Sequence, residues 1–129
     1  MVYSKSVFIA SHFVVWYTFK KQKGLVYMID ISQPHSIDTI KEVVSEVAEK
    51  HGVAKAYLFG SYARADARVD SDIDLRIDKG RLRGLFQLAG FQIELQDRLG
   101  VDVDVLTTQS LDESFLNNIR GEEVVLYEQ

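Results

Sequence analysis

Apolar and polar positions alternate without a break through residues 71–78, Ser-Asp-Ile-Asp-Leu-Arg-Ile-Asp. Ile73, Leu75 and Ile77 share one parity, and Asp72, Asp74 and Arg76 share the other. Such alternation predicts a strand with one face in the core. Residues 101–107 repeat the device, with valines on one parity and Asp102 and Asp104 on the other. Between them, residues 81–99 read as a helix whose apolar stripe is Leu82, Leu85, Phe86, Ala89, Ile93 and Leu99, with Gln92, Glu94, Gln96, Asp97 and Arg98 as its solvated face. Upstream, Ile37, Ile40, Val43, Val44, Val47 and Ala48 fall at helical spacing. Ser36 suits the N-cap of that helix, Asp38 its first turn, and Gly52 its end. Residues 53–59 predict the first strand of the domain, 62–65 a short helical turn, 111–119 a last helix and 124–127 a closing strand.

The first 27 residues have a different character. Residues 7–19 are strongly apolar and are followed by Lys20, Lys21 and Lys23. The run is too short to span a bilayer comfortably. Most of its charge follows the apolar stretch and no small-residue cleavage site is evident, which argues against a signal peptide. A compact domain can be drawn from Met28 onward, so residues 1–27 are expected to be an appendage, either an extra strand or helix or sequence translated ahead of the natural start. Residues 28–129 form the domain. His35 and His51 flank the first helix and are expected to be solvated.

Composition narrows the function. With 129 residues the chain has the length of one domain with a real core. A net charge of −4 gives no support for a nucleic-acid scaffold, which would usually be basic. The absence of cysteine removes disulfides and Cys-based zinc sites, and suits a reducing cytoplasm. Neither GxxxxGK[ST] nor GxGxxG occurs.

The chemistry gathers at residues 58–78. Aspartate is depleted in strands, so Asp72 and Asp74 at i and i+2 oppose propensity, and they repel one another without a cation. On one strand face they stand about 6.6 Å apart, close enough to lean onto one ion or onto a pair about 3.5–4 Å apart. Asp70-x-Asp72-x-Asp74 opens like a calcium loop, but the sixth and twelfth positions are Leu75 and Arg81 instead of glycine and glutamate, which excludes an EF-hand. If the strand at 101–107 lies beside the first, a third carboxylate reaches the same place. Carboxylates alone suit Mg²⁺, a hard ion that often shares its shell with substrate phosphates. Gly60-Ser61, at the end of a strand and ahead of a helical turn, suits phosphate. Together these favour phosphoryl or nucleotidyl transfer over an aspartic-protease or glycosidase dyad.

The ordered set Gly60-Ser61-Tyr62-Ala63-Arg64, Ser71-Asp72-Ile73-Asp74-Leu75 and Val103-Asp104-Val105-Leu106-Thr107 resembles the minimal nucleotidyltransferases of the DNA polymerase beta-like superfamily, with their GSxARG, SDIDL and VDL motifs. The resemblance runs from about residue 28 to the C-terminus. One position departs: the family glycine after Ala-Arg is Ala65. The resemblance implies an α/β (α+β) palm, a mixed β-sheet flanked by helices. It implies that Asp72, Asp74 and Asp104 hold two Mg²⁺ ions, that Asp104 completes the metal site or helps deprotonate the acceptor, and that Gly60, Ser61 and Arg64 bind the nucleotide. It further implies transfer of AMP from ATP to a tyrosine of a HEPN-domain toxin, the chain acting as cytoplasmic antitoxin in a hetero-oligomer, with neither nucleic acid nor membrane as partner. Two other uses of the scaffold stand beside this one. The chain neutralises the toxin by contact with little or no catalysis, or it modifies a small molecule as aminoglycoside nucleotidyltransferases do; the latter carry an additional helical region not found here.

Overall fold

The computed structural model describes the backbone of residues 2–10, 13–22 and 25–30, and backbone with side chains from residue 33 to 129. The chain divides into two compact units, Met1–Pro34 and His35–Gln129. In the first unit β1 (Val2–Ala10), β2 (Phe13–Gln22) and β3 (Leu25–Asp30) form an antiparallel sheet in the order β1-β2-β3. The apolar run at 7–19 spans both arms of the first hairpin, with Val7 opposite Trp16 and Ala10 opposite Phe13. Met28 pairs with Phe19 inside β3, so this unit continues past residue 27.

The second unit opens with α1 (Ile37–His51). The Thr39 N–H donates to the Ser36 side chain, and Gly52 closes the helix at φ +75° with its N–H on the Ala48 and Glu49 carbonyls. Both ends are therefore as the caps in the sequence require. Ile40, Val43, Val44, Val47 and Ala48 are all buried. Then follow β4 (Lys55–Phe59), the single turn α2 (Gly60–Ala63), β5 (Ile73–Asp78), α3 (Gly84–Leu99), β6 (Val103–Thr107), a 3₁₀ turn at Thr108–Ser110, α4 (Glu113–Ile119, capped by Asp112) and β7 (Val124–Glu128).

The four strands make a mixed sheet in the order β6-β5-β4-β7. β5 and β6 run parallel, joined through α3, whereas β4 is antiparallel to both β5 and β7. α1 packs on β4, β7 and α3, and α3 packs on β6. Ile73, Leu75 and Ile77 are fully buried with Leu58, Phe91, Leu95 and Val103, so the parity expected to face the core does so. Each such aliphatic side chain contributes roughly 1.5–3 kcal/mol by leaving water. Among the described residues, no helix is long and apolar enough to cross a membrane.

Three expectations need correction, and a buried ion pair adds to them. Of the stripe expected for α3, Leu99 is buried, as is Leu82 just ahead of the helix, but their buried companions are Phe91 and Leu95, while Leu85, Phe86 and Ile93 are exposed. The helix carries two apolar stripes, and the one that packs against α1, where the His51 ring meets Phe91 edge-on at 5.7 Å, is the buried one. The expected solvated face is also partly engaged: Gln92 and Gln96 bond the carbonyl and amide of Val103 at 2.8 and 3.2 Å, and Arg98 pairs with Glu46 on α1. Neither histidine is simply solvated, because the His35 ring bonds the Leu99 carbonyl at 2.6 Å and His51 lies 3.6 Å from Glu94. Finally, Arg76, on the polar parity of β5, is buried. It is bonded to Glu123 at 2.6 and 3.0 Å and to Thr108 at 2.8 Å, with its guanidinium 3.9 Å from the centre of the Tyr57 ring.

Candidate active site

The site forms where β4 ends and α2 begins. Gly60 takes φ +75°, a backbone state that favours glycine. A second constraint acts there: a Cβ on Gly60 would sit 2.3 Å from Oδ2 of Asp74. The glycine is thus needed less for an approaching ligand than for the aspartate already lying across it. Ser61 follows in the first turn of α2, and Arg64 closes the turn with its N–H on the Gly60 carbonyl at 3.0 Å. Ala65 comes next at φ +63°, among the described residues the one non-glycine at positive φ. The glycine usual at that family position matches this geometry.

β5 brings the carboxylates to this bend. Asp74 stands opposite Phe59 of β4 on one side and opposite Asp104 of β6 on the other. Paired residues of adjacent strands project to the same face, so Asp74 and Asp104 are direct neighbours. Asp72 lies just ahead of the strand and is exposed. Asp74 is half-buried, and its pKa is raised first by burial, then by the charges of Asp104 and Asp72, with Glu122 adding to the rise and Arg64 opposing it.

Gly60, Ser61, Arg64, Asp72 and Asp74 line one open cleft of about 470 Å³, and Phe115, Ile119 and Glu122 complete its lining. Asp104 is outside that lining, one strand over and exposed. Asp102 is exposed as well, its carbonyl taken by the Ile73 N–H. Two features of the cleft escaped the sequence reading. One is the apolar wall from α4, where Phe115 meets Phe59 edge-on at 6.0 Å. The other is Glu122, whose Oε1 accepts the Gly60 N–H at 3.1 Å and whose two oxygens each lie 3.4 Å from Arg64 Nη1. Glu122 belongs to no motif, and only the return of the chain through α4 brings it here.

Among the described residues, no group of three or more His, Cys, Asp or Glu side chains is drawn together as a ready-made metal site. The donor chemistry nevertheless fits a hard cation, since Asp72, Asp74 and Asp104 offer only oxygen. The pKa of Asp74 is raised by burial first and by the charges of Asp104 and Asp72 second, both of which a nearby cation would offset.

A mixed sheet with flanking helices, a Gly-Ser bend and paired strand carboxylates together define a nucleotidyltransferase palm. Comparison with known proteins agrees. Residues 40–129 match the family Polymerase beta, Nucleotidyltransferase. A candidate protein adenylyltransferase of Methanocaldococcus jannaschii is 38% identical over 89 residues, covering 69% of this chain and 96% of the relative. The protein adenylyltransferase MntA of Thermococcus cleftensis is 30% identical over 97 residues, covering 75% and 96%. Among solved structures, one of a tri-AMPylated Shewanella oneidensis HEPN toxin in complex with MNT antitoxin contains a chain that is similar in fold, with a TM-score of 0.57 at 17% identity over 72% of this chain and 73% of that one. The chain belongs to the polymerase beta-like nucleotidyltransferase family, and within it to the minimal nucleotidyltransferases.

Proposed function

We propose that the chain transfers AMP from ATP to a tyrosine hydroxyl of a HEPN-domain toxin, in the cytoplasm, and acts as that toxin's antitoxin in a hetero-oligomer. The observation that carries this reading is Asp74, which lies against the Gly60-Ser61 bend in a cleft large enough for part of a nucleotide and stands in register with Asp104 on the next strand. The relatives described as protein adenylyltransferases, and the likeness in fold to a chain of a HEPN–MNT complex, support a protein acceptor and a HEPN partner; the tyrosine is what the family resemblance adds. In this reading the chemistry is assigned to residues of the second unit, and the N-terminal unit that contains residues 1–27 is an appendage to it.

In this proposal Gly60, Ser61 and Arg64 hold the triphosphate, and Asp72, Asp74 and Asp104 hold Mg²⁺. The ions would supply neutralising charge on the phosphates when bound. Asp104, the more exposed of the strand pair, either completes that metal site or takes the proton of the acceptor hydroxyl. The acceptor oxygen bonds to Pα, the bond from Pα to the bridging oxygen of the β-phosphate breaks, and pyrophosphate leaves.

The test is incubation with labelled ATP, Mg²⁺ and the cognate HEPN protein, followed by mass measurement of both chains. A gain of AMP on the partner is expected, and its loss in the double variant Asp72→Asn, Asp74→Asn. Neutralisation that persists undiminished in that variant would mean an antitoxin acting by contact alone.

A further inference from the structure

Glu122 stands where an anion belongs. Its carboxylate accepts the Gly60 amide and faces the Arg64 guanidinium. Those are two of the donors that the proposed function assigns to the triphosphate, and this inference rests on that reading. One backbone N–H makes one good hydrogen bond, so carboxylate and phosphate exclude one another at Gly60. Glu122 also adds negative charge to a cleft that already holds Asp72 and Asp74.

We infer that Glu122 is a resident phosphate mimic: it fills the phosphate cradle in the nucleotide-free protein and must swing out when ATP enters, so that it sets nucleotide affinity. The resting contact has a physical basis. Gly60 is buried, and its amide would lack a partner without this carboxylate. The exchange needs only side-chain rotation, because the backbone beneath is anchored. The Glu122 and Glu123 amides both donate to the Ile119 carbonyl, at 3.0 and 3.1 Å, and the Glu123 carboxylate is clamped by buried Arg76. The Glu122 side chain is itself about a quarter exposed (26%), leaving it a route to solvent.

The experiment is calorimetric titration of the full chain, wild type and Glu122→Gln, with a non-hydrolysable ATP analogue in Mg²⁺, with inorganic tripolyphosphate in Mg²⁺, and with adenosine. A cradle occupied in about nine molecules in ten weakens apparent affinity about tenfold. Glu122→Gln, which keeps the shape and removes the charge, is expected to tighten the analogue and tripolyphosphate about five- to tenfold and to leave adenosine unchanged. Glu122→Ala, which also removes the acceptor, should tighten them at least as much. Equal affinity within about twofold, or weaker binding, in Glu122→Gln overturns the inference while the wild type's own binding leaves the nucleotide reading standing. If neither protein binds the analogue, the nucleotide reading falls and the inference with it.

Discussion

Ala65 is the residue whose backbone contradicts its side chain. At φ +63° its methyl group is held in a state that costs a non-glycine residue roughly 1–2 kcal/mol. The bend is fixed from both sides, with the Ala65 N–H on the Tyr62 carbonyl at 3.3 Å and the Asp66 N–H on the Ser61 carbonyl at 3.0 Å. Ala65→Gly removes that strain but loosens the unfolded chain by roughly 0.5–1 kcal/mol. The expected net effect is a gain of about 0.5–1 kcal/mol, visible as a higher urea midpoint with the slope unchanged. A loss of stability would mean that the turn relaxes away from positive φ. Gly60 presents the opposite case. Its positive φ and the overlying Asp74 carboxylate both demand glycine, and its neighbour in sequence explains neither.

At the scale of elements, β5 has two separate duties on one face. Asp74 reaches the cleft, and Arg76, two residues on, ties the sheet to the start of β7 through Glu123. Both partners of that pair are nearly out of water, with side chains 11% and 8% exposed. Removing one partner leaves the other charge buried, which typically costs about 3–5 kcal/mol. Glu123→Ala is therefore expected to lower stability by about 3 kcal/mol in chemical denaturation. It also frees the turn that carries Glu122. The double variant Arg76→Met, Glu123→Leu should recover most of the loss, because an apolar pair leaves no uncompensated charge. Failure to recover would show that the pair's neighbours Thr108 and Tyr57 depend on the guanidinium itself.

In the whole molecule, the cleft concentrates negative charge, and Asp74 bears it in a half-buried place. Its folded-state pKa is raised, by burial first and then by Asp104 and Asp72. The linkage sign follows: its contribution to stability is fully present below the unfolded carboxylate pKa and is lost as pH rises through the folded value. At neutral pH the ion-free protein thus carries a penalty that a cation held beside Asp74, as proposed, would offset. Mg²⁺ is expected to raise the melting temperature at pH 7 by a few degrees, and progressively less as pH falls into the carboxylate range. Asp74→Asn should raise ion-free stability at pH 7 and abolish the response to Mg²⁺. A melting shift that survives this variant would place the ion elsewhere.

Much of this was legible in the chain. Ser36, Gly52 and the period of α1 specified that helix, because caps and amphipathic spacing are local. The alternation at 71–78 specified which side chains of β5 enter the core, because a strand's period admits only two assignments. α3 shows the limit: Leu99 was legible, but the helix has two apolar stripes at helical spacing, and only packing against α1 selected Phe91 and Leu95 over Leu85, Phe86 and Ile93.

The sequence by itself determined the strand parities, the caps and the Gly-Ser and aspartate motifs, since each depends on residues a few positions apart. The tertiary structure alone decided that Asp104 registers with Asp74, that Arg76 is buried on Glu123, and that Glu122 occupies the Gly60 amide. Those contacts join segments far apart along the chain, and their geometry exists only once the sheet order β6-β5-β4-β7 and the return through α4 have closed.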